Sequence, residues 1–207
     1  NQLGAEAKAL GKQALVVSYK DHAFMQGTLS SACALLKAQG VNPVCFFEAV
    51  ANPTLREVEA GVLLARAQSV DLVIGIGGGS VMDTAKLIAA GVNYAGELWN
   101  MIYSRHDRCA TVPPETALPL LMVPTLPATS SEMNCGAVVT NPQTHEKSYL
   151  FHPCIYPKVS ILDPQTTCTV PPDYTAYGAV DALSHMLEFY LTTEEPETSV
   201  QDRLMEG

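Results

Sequence analysis

Short apolar runs and helically spaced stretches alternate along the first half of the chain. "ALVVSY" (14–19), "NPVCFFE" (42–48) and "DLVIGIG" (71–77) each have the length and composition of a buried strand. Between them, residues 23–41 repeat apolar side chains at helical spacing through Leu29, Ala32, Cys33 and Leu36, and stop at Gly40. Residues 52–70 do the same through Leu55, Val58, Val62 and Leu63, with Pro53 at the expected helix start. "SVMDTAKLIAAGV" (80–92) predicts a third helix and "PLLMVPT" (119–125) a fourth strand. The order is βαβα, and the strands are continuously apolar rather than alternating. A parallel sheet covered by helices on both faces is therefore expected, that is, an α/β fold.

The pattern changes beyond residue 135. "GAVVTN", "EKSYLF" and "PKVSILD" predict short strands, with an Asn-Pro turn at 141–142. After "VPPDYT" (170–175) the chain turns helical over 176–191, and "PETSVQDRLMEG" reads as a helix interrupted in mid-course. Two consecutive prolines cannot continue a strand ladder or a helix interior, so Pro171-Pro172 marks the expected boundary between an α/β domain (1–172) and the first helices of an all-α domain (173–207). The opening "NQLGAEAKALGKQ" predicts a helix that starts abruptly. It lacks the continuous apolar segment of a signal peptide.

Charge narrows the partners. The net charge is −9, and an acidic chain gains nothing from phosphate neutralisation, so nucleic acid is not expected. No basic amphipathic stretch points to a membrane surface, and no apolar run approaches the roughly 20 residues that span a bilayer. The six cysteines form no C-x-x-C pair and sit mostly among apolar residues. They are expected to be free, mostly buried thiols of a reducing, cytoplasmic compartment.

Three stretches carry candidate chemistry. In "DLVIGIGGGSVMDTAK" a strand runs into Gly77, Gly78 and Gly79 and then into a helix. Such a turn bares backbone N–H groups where the helix dipole is positive, a ready site for a phosphate or diphosphate. Ser80 and Asp83 also fit a capping box, whatever else the turn does. Neither the P-loop nor the G-x-G-x-x-G spacing is present. In "VPTLPATSSEMN" (123–134) the hydroxyl residues Thr125, Thr129, Ser130 and Ser131 follow a central strand. That places them near the carboxyl edge of the sheet, where open α/β proteins bind ligands, although turn chemistry alone also accounts for them. In "DALSH", Asp181 and His185 share a helix face and could share a divalent metal or simply hydrogen-bond at the surface. Their apolar neighbours place the pair inward or in a cleft.

Together these stretches resemble the iron-containing (group III) alcohol dehydrogenase family, collinearly from about residue 10 to residue 207. The residues that carry the likeness are "NPT" (52–54), "GIGGGSVMDTAK" (75–86), "PTLPATSSEMN" (124–134), "PKVSILDP" (157–164) and "DALSHMLEFYL" (181–191). "SSEMNCGAVVTNPQTHEKS" and "YGAVDALSH" are most similar to the butanol dehydrogenase and broad aldehyde reductase branch. The resemblance implies a dinucleotide-binding α/β domain, an all-helical domain and an active site between them. It implies that Gly78, Gly79 and Ser80 cradle the cofactor diphosphate and that Asp83 approaches the nicotinamide. Thr125, Thr129, Val138 and Lys147 match positions lining the cofactor, and Asp181 and His185 match the first two ligands of an Fe²⁺ or Zn²⁺ ion. The reaction implied is hydride transfer between a primary alcohol or aldehyde and NAD or NADP.

Relatives read the adenosine ribose after the first of these strands, here "SYKDH". Asp21 would accept from a 2′-hydroxyl and repel a 2′-phosphate, and Lys20 argues the other way; the balance tips to NAD. The family's two further metal-binding histidines fall beyond residue 207, and His22, His106, His145 and His152 fit neither place by motif. A strand or hairpin expected before the first helix is also missing. The chain therefore reads as an incomplete member of the family. Alternative readings are a non-catalytic nucleotide-binding fragment, or a relative of the glycerol dehydrogenases or maleylacetate reductases. Homo-oligomerisation is left open.

Overall fold

The computed structural model describes residues 2–103 and 111–192. Cys109, His106 and the helix expected over 196–207 lie outside the described residues.

Five parallel strands form the central sheet: β1 (Gln13–Tyr19), β2 (Asn42–Ala49), β3 (Leu72–Gly77), β4 (Leu120–Pro124) and the two-residue β7 (Val159–Ser160), in the order β2-β1-β3-β4-β7. The helices are α1 (Leu3–Leu10), α2 (Gln26–Ala38), α3 (Leu55–Ala67), α4 (Gly79–Asn93) and α5 (Pro172–Thr192). β5 (Gly136–Thr140) and β6 (Lys147–Phe151) pair as a separate antiparallel hairpin that packs on α4.

The expected burial on both faces holds. Along β1, Leu15 and Val17 join one apolar cluster with α3 and α4, whereas Ala14 and Val16 join another with α1 and α2. β4 alternates in the same way, with Leu120 and Met122 on one side and Leu121 and Val123 on the other. Period-two geometry sends successive side chains to opposite faces, and each face has its own helical layer, so a strand can be apolar throughout.

Several boundaries differ from expectation. α3 begins at Leu55, not Pro53, because Thr54 caps it; the Thr54 amide donates to Glu57 Oε2 at 3.0 Å, the reciprocal contact of a capping box. α5 begins four residues earlier than the spacing predicts, with Pro172 as its first helical residue, where a missing N–H costs nothing. Cysteine burial was over-read. Of the five described cysteines, all free, only Cys135 is buried, while Cys45 is exposed on the edge strand β2 and Cys168 in a loop. α5 turns Tyr177, Val180, Leu183 and Leu191 to solvent. No helix among the described residues is long and apolar enough to cross a membrane.

α2 and α3 end in the same motif. Gly40 (φ +79°) and Ser69 (φ +50°) take the left-handed position, with Val41 N–H bonded to Leu36 O and Val70 N–H to Ala65 O, at 3.0 and 2.9 Å. Glycine adopts that conformation freely, whereas serine pays for its Cβ. Ser69→Gly should raise the unfolding free energy by about 1 kcal/mol, read as a higher urea midpoint at unchanged slope.

Candidate functional site

The strand order reverses direction between β1 and β3. From β1 the chain crosses to β2 on one side, and from β3 to β4 on the other. The carboxyl ends of β1 and β3 therefore flank a crevice with no connection running over it, the place where open α/β sheets receive ligands. The glycine turn sits there. Gly77 is the last residue of β3, buried, and its carbonyl accepts from Thr125 N–H at 3.0 Å. Gly78 is the N-cap of α4, and its carbonyl accepts from Val81 and Met82 N–H at 3.0 and 3.1 Å. The Gly78 amide donates to Tyr19 Oη at 2.9 Å. The next two amides, those of Gly79 and Ser80, take no partner among the described residues and lie at a partly exposed edge. A Cβ on Gly79 would stand 2.7 Å from Thr129 Cγ2 and Oγ1, so the turn and the hydroxyl loop face each other closely enough to require bare backbone. These amides suit an anion, as their position at a helix N-terminus dictates.

The capping-box reading of Ser80 and Asp83 is corrected. Ser80 is the second helical residue, and the cap position belongs to Gly78. Asp83 turns instead to the loop after β4 and to the hairpin. Its Oδ1 accepts from Ser131 Oγ at 2.8 Å and its Oδ2 from Val138 N–H at 3.1 Å. Behind it Lys86, fully buried, donates to Ser131 Oγ, Asn134 Oδ1 and the Gly136 carbonyl at 2.9, 2.9 and 2.8 Å. Removal from water pushes the Lys86 ammonium down to about 8, against the pull of Asp83. The same loss of solvent raises Asp83, opposed by its hydrogen bonds to Val138 and Ser131 and by the nearby charges of Lys86 and Lys147. Burial outweighs pairing for both partners. The sequence reading passed over Lys86 and Asn134. The one signal was the lysine of "AKLIAA", followed only by apolar residues and with Asp83 three residues before it on the same helix face.

The remaining predicted residues divide into two groups. Ser131, Val138 and Lys147 gather around Asp83, and Lys147 Nζ also donates to Asn52 Oδ1 at 3.0 Å. Thr125 is buried beneath the turn and Thr129 lies against Gly79. Asp21 is exposed two residues beyond Tyr19, and Lys20 pairs with Glu48 at 3.3 Å. Asp181 and His185, expected inward or in a cleft, have side chains nearly half exposed among the described residues. α5 comes close to the loop after β4 at Gly178, where a Cβ would lie 2.6 Å from the Pro127 carbonyl. The two donor atoms, Asp181 Oδ1 and His185 Nε2, are 3.8 Å apart. Ligands at about 2.1 Å from a shared ion can span that distance. Among the described residues no group of three or more His, Cys, Asp or Glu side chains could hold a metal.

A family model described as iron-containing alcohol dehydrogenase matches residues 1–164. The chain belongs to the iron-containing alcohol dehydrogenase family. It is 38% identical over its whole length to a probable NADH-dependent butanol dehydrogenase of Bacillus subtilis, covering 51% of that protein. Over 75% of its length it is 37% identical to an NADPH-dependent aldehyde reductase of Escherichia coli, covering 39% of it. The crystal structure of an NADH-dependent butanol dehydrogenase A from Thermotoga maritima superposes with a TM-score of 0.87 at 38% identity, over 97% of this chain and 49% of that one. The chain thus spans about half the length of these dehydrogenases.

In this family member the Lys86 ammonium ties α4 to the loop that carries the hydroxyl residues. Its titration has a thermodynamic signature. The folded-state value, about 8, lies below the ordinary 10.5, so the unfolded chain binds more protons between those limits. The stability contribution of Lys86 therefore rises as pH increases through that window. The unfolding free energy of the wild type minus that of Lys86→Met should grow from pH 8 to 10.5, as measured by denaturant titration at each pH.

Proposed function

We propose that the protein is a metal-dependent, NAD(P)-linked alcohol dehydrogenase or aldehyde reductase, acting on a primary alcohol or aldehyde. The observation that carries this reading is the pair of amides, Gly79 and Ser80, that have no partner among the described residues and lie open at the sheet's switch point next to the Asp83–Ser131–Lys86 network. Bare glycine backbone and a helix N-terminus fit a dinucleotide's diphosphate. Asp83, Thr125, Thr129, Ser131, Val138 and Lys147 would line the path from there toward the nicotinamide. Asp83 and Ser131 would orient it through a carboxylate and a hydroxyl whose positions Lys86 and the Val138 amide hold.

NAD is favoured over NADP. Asp21 is exposed two residues beyond β1, where a 2′-phosphate would meet its charge, and Lys20 is engaged by Glu48. Asp181 and His185 would supply an oxygen and a nitrogen ligand to Fe²⁺ or Zn²⁺, which when bound serves as a Lewis acid toward the substrate oxygen. Residues 173–207 would open the helical domain that completes this site, and the setting would be cytoplasmic. A second reading is nucleotide binding without turnover, which needs only the glycine turn and its two open amides.

Titration of NADH fluorescence, followed by aldehyde-dependent NADH oxidation with Fe²⁺ or Zn²⁺ supplied and then chelated, separates the two. Oxidation abolished by the chelator supports the dehydrogenase; binding with no oxidation under any metal leaves the nucleotide-binding module. Absence of both NADH and NADPH binding sinks both readings. Gly79→Val should weaken NADH by about tenfold or more, since its side chain must displace Thr129. Asp181→Ala and His185→Ala should lower metal content and leave the NADH dissociation constant unchanged.

A further inference from the structure

Tyr19 ends β1 on one side of the switch-point crevice, and Gly78 caps α4 on the other. One hydrogen bond joins them, from Gly78 N–H to the phenolic oxygen at 2.9 Å. Gly78 itself is buried, and a Cβ added there would lie 2.6 Å from the phenol oxygen. The bond thus demands glycine at 78, for reach as much as for turn geometry. It also removes that amide from a ligand's reach, although it is the first donor of the anion site.

The phenol has a second capacity. An oxygen that accepts from Gly78 still carries its own proton, and no described residue accepts it. Burial raises the Tyr19 phenol above its ordinary range, with Tyr174 adding to the rise, so the group stays protonated at neutral pH. The Phe24 ring, 5.9 Å away centroid to centroid, flanks the Tyr19 ring.

We propose that Tyr19 binds the cofactor diphosphate directly: its hydroxyl accepts from the Gly78 amide and donates its own proton to a diphosphate oxygen, beside the amides of Gly79 and Ser80. In effect, the phenol extends a buried backbone donor outward by one hydrogen bond. A chain that accepts from an amide and donates to an anion is polarised in one direction, and each link strengthens the other. This role rests on the anion-binding reading of the turn given above.

The test uses ADP, which carries the diphosphate, and adenosine, which lacks it. Tyr19→Phe removes one oxygen and keeps the ring. By isothermal calorimetry the variant should bind ADP about tenfold more weakly, the loss of one charge-assisted hydrogen bond, and bind adenosine as the wild type does. Unchanged or tighter ADP binding would mean that the phenol is only a plug that the anion displaces, and would overturn the proposal. So would an equal loss for ADP and adenosine, which marks a structural role. A second measurement needs no variant. On adding ADP to the ¹⁵N-labelled wild type, the Gly79 and Ser80 amide protons should shift strongly and that of Gly78 downfield by a smaller amount, as its bond to the phenol strengthens; a Gly78 shift as large as theirs, or none, refutes the relay. If the wild type binds neither ADP nor NADH, the anion site itself is disproved and Tyr19 falls with it.

Discussion

The reversal of strand order between β1 and β3 is the constraint on which the rest of this structure depends. Connections leave these neighbouring strands toward opposite edges of the sheet. Their carboxyl ends consequently lie side by side on that rim with no crossover between them. The glycine turn, the end of β1 and the loop after β4 all converge on it. The hydrophobic layers exist to hold this rim, since the two apolar clusters on either face leave each strand little freedom to slide.

α4 meets two opposed demands within two turns. At its N-terminus it exposes two amides with no partner among the described residues. Nearly two turns further on, it buries an ammonium completely. Taking Lys86 out of water is costly, and an isolated charge could not remain there. Three acceptors, Ser131 and Asn134 in the loop after β4 and Gly136 at the start of β5, together with the nearby Asp83 carboxylate, offset that cost. The result is a loop located by a charge rather than by apolar packing. A lysine with three short bonds defines direction, which methylene contacts do not. The hairpin is tied to the same helix through the Val138 amide on Asp83, and to the start of α3 through the Thr140 amide on the Pro53 carbonyl at 2.9 Å.

Much of this was legible in the chain. The alternation of apolar runs and helical spacing predicts the parallel sheet and its two helical layers, because burial on both faces leaves an unmistakable strand composition. Local details failed where the code is degenerate. Three consecutive glycines offer three equally good caps for α4, and Ser80, the usual choice, lies two residues beyond the cap position. Pro53 masked Thr54 and Glu57 as the true start of α3. Apolar neighbours around Asp181 and His185 suggested an inward or cleft position, and the exposed Tyr177, Val180, Leu183 and Leu191 show that α5 is apolar on more sides than the described residues cover. The Lys86 network and the Tyr19–Gly78 bond join residues 45 to 59 positions apart. Contacts at such separation leave no periodicity, and only the fold brings them together.

The seclusion of Lys86 has a practical side. An amine that water cannot reach is equally closed to acylating reagents, while exposed lysines such as Lys20 react freely. Covalent labelling at Lys86 can proceed only during moments when α4 and the loop after β4 part company. Its labelling rate is therefore a clock for breathing of that seam, readable by mass spectrometry of a single peptide in the intact protein.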